Sequence, residues 1–128
     1  MSLKKILIVD DEPDVIAYLT VVLESNGYKS FSAGDIKTAM QLVKEVRPDL
    51  ICLDIVMPNE TGISLYIKLQ QDKNFKNVPV IIISGIIESE KFNFRSYVKD
   101  TSIPAPKCYM EKPIDIKSLI QNIERLTN

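Results

Sequence analysis

Short, unbroken apolar runs constrain this chain more than any other feature. Ile6–Leu7–Ile8–Val9 and Val80–Ile81–Ile82–Ile83 are the clearest, four residues each with no polar residue between them. Side chains of a strand alternate between two faces, so such a run fits a strand covered on both sides, as in a parallel sheet. Tyr28–Phe31, Leu50–Leu53 and Cys108–Met110 read as three more strands. Between the runs, Val15, Ile16, Leu19, Val22 and Leu23 recur at helical spacing and stop before Asn26–Gly27. Ile36, Ala39, Met40 and Val43 repeat that spacing behind Asp35, a cap candidate, and Pro48 closes the segment. Ile116, Leu119, Ile120 and Ile123 follow a second cap candidate, Asp115. Two further helices are expected, after Gly62 and within Glu88 to Lys99. Strands alternating with helices five times over specify an α/β fold, a central parallel sheet with helices on both faces. The 128 residues show no linker, repeat or low-complexity tract, so residues 1–128 read as one domain.

Charge and residue usage then exclude whole classes of function. A net charge of -1, with no dense Lys or Arg run, offers no footprint for nucleic acid or an anionic membrane. No apolar stretch approaches the ~20 residues that span a bilayer, and no signal peptide opens the sequence, so a cytoplasmic location is expected. The absence of histidine excludes Ser–His and Cys–His catalysis as well as His-rich metal centres. Cys52 and Cys108 lie in separate apolar runs without C-x-x-C spacing and read as two small buried hydrophobes.

Parallel α/β sheets bind their ligands at the carboxyl ends of the strands. The residues just past each run therefore converge on one rim. They are Asp10, Asp11 and Glu12 after the first run, Asp54 after the third, Ser84–Gly85 after the fourth and Glu111–Lys112–Pro113 after the fifth. Crowded carboxylates repel unless a cation sits among them, and hard oxygen ligands favour Mg²⁺ or Mn²⁺. Mg²⁺ typically shares such a site with a phosphate, which Lys112 and the Ser84 hydroxyl are suited to hold. Aspartate can act as a nucleophile toward phosphorus, and Asp54 stands alone on the middle strand. Asp10 and Asp11 are adjacent and better placed as metal ligands.

Four stretches in order, VDDEP (9–13), DIVMPNETG (54–62), SG (84–85) and EKP (111–113), resemble the receiver domain of two-component response regulators across nearly the whole chain. The resemblance implies a flavodoxin-like, doubly wound five-stranded parallel sheet in the order 2-1-3-4-5, with five helices. It implies that Asp54 is the phosphoacceptor, and that Asp10, Asp11, Asp54 and the Val56 carbonyl serve the Mg²⁺ site. Lys112 would bind the phosphoryl group across a cis Lys112–Pro113 bond, Ser84 would be the switch hydroxyl and Tyr109 the aromatic switch residue. Its expected partner is a sensor histidine kinase or a histidine phosphotransfer protein, with an effector domain or protein downstream and homodimerisation as an open alternative. Such a domain is no enzyme toward other substrates, since it catalyses only its own phosphorylation and dephosphorylation. The competing reading is a pseudo-receiver, an interaction module that keeps the fold without phosphotransfer.

The chain also departs from the family pattern. Ser84 and Lys112 lie 112 − 84 = 28 positions apart, several more than usual, and Pro104 and Pro106 bar a regular helix or central strand from the excess. Ala105–Pro106–Lys107 stands where receivers usually carry a small-residue turn, so the signalling face before the fifth strand is expected to differ. Val56 and Ile86 occupy the two positions that flank the hydrolytic water in receivers; both are apolar, so a long-lived phosphorylated form is expected.

Overall fold

The computed structural model describes residues 3–55, 62–85 and 94–128. Its elements alternate as the apolar runs require: β1 Lys5–Val9, α1 Pro13–Ser25, β2 Lys29–Ala33, α2 Ile36–Val46 and β3 Leu50–Leu53, then α3 Gly62–Gln70, β4 Val80–Ser84, α4 Phe94–Tyr97, β5 Cys108–Glu111 and α5 Ile116–Thr127. All pairings are parallel, in the order β2-β1-β3-β4-β5.

Alternation along the strands builds two cores, one on each face of the sheet. Leu7, Val9, Ile51, Leu53, Val80 and Ile82 face one side, where Ala39 and Val43 of α2 and Leu65 and Leu69 of α3 cover them. Ile6, Ile8, Leu50, Cys52, Ile81 and Ile83 face the other, beneath Leu19 and Leu23 of α1 and Leu119 and Ile123 of α5. Double coverage explains why β1, β3 and β4 lack polar alternation. The edge strand β2 carries the mixed sequence KSFSA instead, and it begins at Lys29 rather than at the expected Tyr28.

Helix ends follow local chemistry. Asp35 Oδ1 accepts from the Thr38 amide at 2.7 Å, and Asp115 Oδ2 from the Ser118 amide at 2.9 Å, so both expected caps form. Helix α1 stops at Asn26, with Gly27 at φ +86°, a left-handed geometry that glycine adopts without a Cβ clash. Ile81 pairs with both Cys52 and Cys108, so an intervening strand holds the thiols roughly 10 Å apart by strand spacing alone, beyond disulfide reach. Burial pushes the Cys52 thiol up to about 12.

Among the described residues the expected set of five full helices is not reached. Four helices run nine to thirteen residues, whereas α4 is a single turn of four, Phe94–Tyr97. The first part of the expected Glu88–Lys99 helix lies outside the described residues. Beyond Tyr97 the chain becomes a strap of turns through Ile103 and Pro106 that leads into β5. Tyr66 of α3 fixes this strap by donating to the Pro104 carbonyl at 2.6 Å, and its ring meets Phe94 edge-on at 5.7 Å.

Candidate functional site

The backbone ladder carries the candidate residues to one rim. One step past β1, the Asp10 amide donates to the Ala33 carbonyl at 3.1 Å; one step past β3, the Asp54 amide donates to Val9 at 2.9 Å. The Lys112 amide, one step past β5, donates to the Ser84 carbonyl at 3.1 Å. Asp10, Asp54 and Lys112 share the strand parity of Ile8, Cys52 and Met110, the α1–α5 side of the sheet. Ser84 and Tyr109 share the opposite parity, and Tyr109 packs against the α2–α3 core.

The shared parity lets one ammonium reach three acids. Lys112 Nζ lies 2.9 Å from Asp10 Oδ2, 2.9 Å from Glu12 Oε1 and 3.2 Å from Asp54 Oδ2. Asp10 and Asp54 are buried, with residue exposures of 3% and 4%, and Ser84 is buried at the end of β4. Burial alone would lower the Lys112 pKa; the hydrogen bonds that Lys112 donates to Glu12 and Asp10, and the charges of Asp54 and Asp10, outweigh it and raise the value. The Lys112–Pro113 peptide bond is cis, as the resemblance implies.

One carboxylate oxygen from each of Asp10, Asp11, Glu12 and Asp54 lies within 4.8 Å of the others. Among the described residues, four carboxylates stand against one ammonium in a partly buried site, 4 − 1 = 3 formal negative charges in excess. An all-oxygen donor set with that charge fits a hard divalent cation such as Mg²⁺, which these residues could hold. The ends of β1, β3 and β5 thus bring together Asp10, Asp11, Asp54 and Lys112, the convergence that the sequence predicts. Ser84 stands at the tip of the adjacent strand and Tyr109 on its neighbour, across from Ile82. Val56 and Ile86 lie outside the described residues.

Two residues gain significance only in three dimensions. Glu12 enters the sequence argument as one more rim acid, yet it holds a third of the lysine's contacts. Gly62 looks like a simple chain break. A Cβ there would collide with the Asp54 carbonyl oxygen and sit 2.9 Å from the Ile55 Cα, while the Gly62 amide donates to the Ile55 carbonyl at 3.1 Å. The start of α3 therefore rests directly on the chain that leaves Asp54. The only sequence signal for this is a glycine opening a helix, 62 − 54 = 8 positions after the candidate nucleophile.

Comparison with known proteins agrees with this fold. The family model for the response regulator receiver domain matches residues 6–124. The chain is similar to protein PilH of Pseudomonas aeruginosa, 31% identical over 121 residues that cover 93% of each chain. It is also similar to the DNA-binding response regulator MtrA of Mycolicibacterium smegmatis, 36% identical over 82 residues, which are 64% of this chain but 35% of that protein. The chain therefore spans only a part of some curated relatives that it matches. Among solved structures, response regulator TrrA of Thermotoga maritima, in complex with Mg²⁺–BeF, superposes with a TM-score of 0.78 at 27% identity, covering 97% of this chain and 99% of that one.

Proposed function

The chain belongs to the response regulator receiver domain family, and from that membership we propose that Asp54 accepts a phosphoryl group from a phosphohistidine on a partner kinase or phosphotransfer protein. The observation that carries this reading is Lys112 Nζ standing between the buried carboxylates of Asp54 and Asp10, with Asp11 and Glu12 in the same cluster. In the transfer, the phosphorus–nitrogen bond to the donor imidazole breaks as a bond forms between phosphorus and an Asp54 carboxylate oxygen. The imidazole leaves with its electron pair and takes up a proton. Asp10 and Asp11 would hold Mg²⁺ together with Asp54, and the bound ion would neutralise charge on the phosphoryl oxygens. Lys112 supplies a second positive charge from the end of β5, its Nζ 3.2 Å from Asp54 Oδ2.

These 128 residues carry no histidine, so the phosphohistidine donor is not among them. Ser84 and Tyr109 lie on the side of the sheet away from Lys112. This supports a division in which Asp54 and Lys112 take up the phosphoryl group while Ser84 and Tyr109 relay its presence to the α4–β5 face. MtrA is a DNA-binding regulator longer than this chain, and by analogy the output passes to an effector, joined or separate. Among the described residues no helix is long and apolar enough to cross a membrane.

A pseudo-receiver would keep the fold and lose the anion site, and the complete acid, hydroxyl and lysine set weighs against it. Titration with Mg²⁺ and beryllofluoride, a phosphoryl mimic, followed by amide NMR separates the two. The expected result is saturable shifts around Ser84, Tyr109 and Lys112 that require both components and vanish in Asp54→Ala. Absence of shifts in the wild type would leave the interaction module as the better reading.

A further inference from the structure

We propose that Glu12 competes with the phosphoryl group for Lys112 and so restrains phosphorylation of Asp54. This deepens the phosphoacceptor reading and rests on it. An ammonium has three N–H donors, and Lys112 already has three carboxylate partners, Asp10, Glu12 and Asp54, at 2.9, 2.9 and 3.2 Å. To hold a phosphoryl oxygen, the lysine must release one of them.

The three partners are unequal. Asp10 and Asp54 are buried, their side chains 4% exposed, so water does not readily take the lysine's place at either carboxylate. The Glu12 side chain is 59% exposed, so water replaces the lysine readily when that contact opens. Glu12 is also committed to nothing else on its own helix. It occupies the N-cap of α1, where a side chain often accepts an amide, yet no side-chain cap bond forms. Its backbone is meanwhile anchored: the amide donates to Asp10 Oδ1 at 2.9 Å, and the carbonyl accepts from Val15 and Ile16. A fixed backbone with an uncommitted carboxylate gives Glu12 a short, repeatable reach to the Lys112 ammonium. In the resting protein Glu12 therefore occupies the donor that an incoming phosphoryl oxygen needs, and its exposed carboxylate adds negative charge beside it.

The test is the initial rate of Asp54 phosphorylation by acetyl phosphate in excess Mg²⁺, read by intact mass in wild type, Glu12→Gln and Asp14→Asn. Asp14 is an exposed acid on the first turn of α1 that makes none of the three contacts to Lys112. Glu12→Gln is expected to raise the rate constant about two- to fivefold, the equivalent of one exposed ion pair given up, with Asp14→Asn unchanged. Half-saturating beryllofluoride should fall in Glu12→Gln by a similar factor, a readout independent of turnover. An equal rise in both variants would assign the effect to general charge and overturn the competition, as would an unchanged or slower Glu12→Gln. Failure of the wild type itself to become phosphorylated would instead overturn the phosphoacceptor reading beneath it.

Discussion

The carbonyl oxygen of Asp54 and the α-carbon of Gly62 approach so closely that position 62 has room for a hydrogen and nothing larger. Replacing Gly62 with alanine must push the start of α3 away from the chain that leaves Asp54. The expected cost is about 1–3 kcal/mol in urea unfolding, the usual range for overpacking, together with weaker Mg²⁺ binding. A variant with wild-type stability and Mg²⁺ affinity would show that the contact relaxes freely. The sequence makes Asp10, Asp54 and Lys112 legible because the first two follow directly on an apolar run and Lys112 one residue later, and the carboxyl-end rule then locates them. It leaves Gly62 and Glu12 unread for a physical reason. What Gly62 excludes and what Glu12 touches depend on the approach of segments that no local pattern relates.

Helices α2 and α5 announce their starts through Asp35 and Asp115, and both carboxyls do accept the amide three residues on. Hydrogen bonds from Thr38 and from Ser118 hold these two acids below the usual carboxylate range. A lowered folded pKa means stability that is present above the unfolded value of about 3.9 and lost as pH falls through the folded one. Asp115→Ala should therefore lower Tm near neutrality, and the gap to wild type should close as acidification carries the pH down through the lowered folded value. A gap that persists in acid would assign the loss to packing.

The strap before β5 is the element least legible in the sequence. Pro104 and Pro106 say what it cannot be, and nothing local says that Tyr66, 104 − 66 = 38 positions earlier, clamps it. Tyr66→Phe removes that bond, and a loss of about 1 kcal/mol is expected near neutrality. Burial first, and then the neighbouring Tyr109, push the Tyr66 hydroxyl up to about 12. Above about pH 10 the unfolded chain ionises there while the folded protein keeps its proton, so the wild type loses stability as pH rises. The phenylalanine variant escapes that loss, and the difference between the two should shrink in urea titrations at about pH 11.

At the level of the whole molecule, the doubly covered sheet is a rigid frame that holds four carboxylates and one lysine at one rim, with a charge imbalance that a divalent ion would relieve. Binding to the folded state alone stabilises by mass action, so Mg²⁺ should raise Tm progressively with its occupancy, and Asp11→Ala should lose most of that rise. Equal shifts in the two proteins would place the ion elsewhere. The strand order follows from the resemblance and is confirmed by the ladder; the continuous apolar runs alone specify a buried parallel sheet but not which strands are neighbours. The central claim is that Asp54 takes up phosphorus, and intact-mass measurement after incubation with acetyl phosphate tests it most directly. Wild type with Mg²⁺ should gain the mass of one phosphoryl group, whereas Asp54→Asn, or wild type in a chelator, should gain none. An unmodified wild type, or an equally modified Asp54→Asn, would contradict the account.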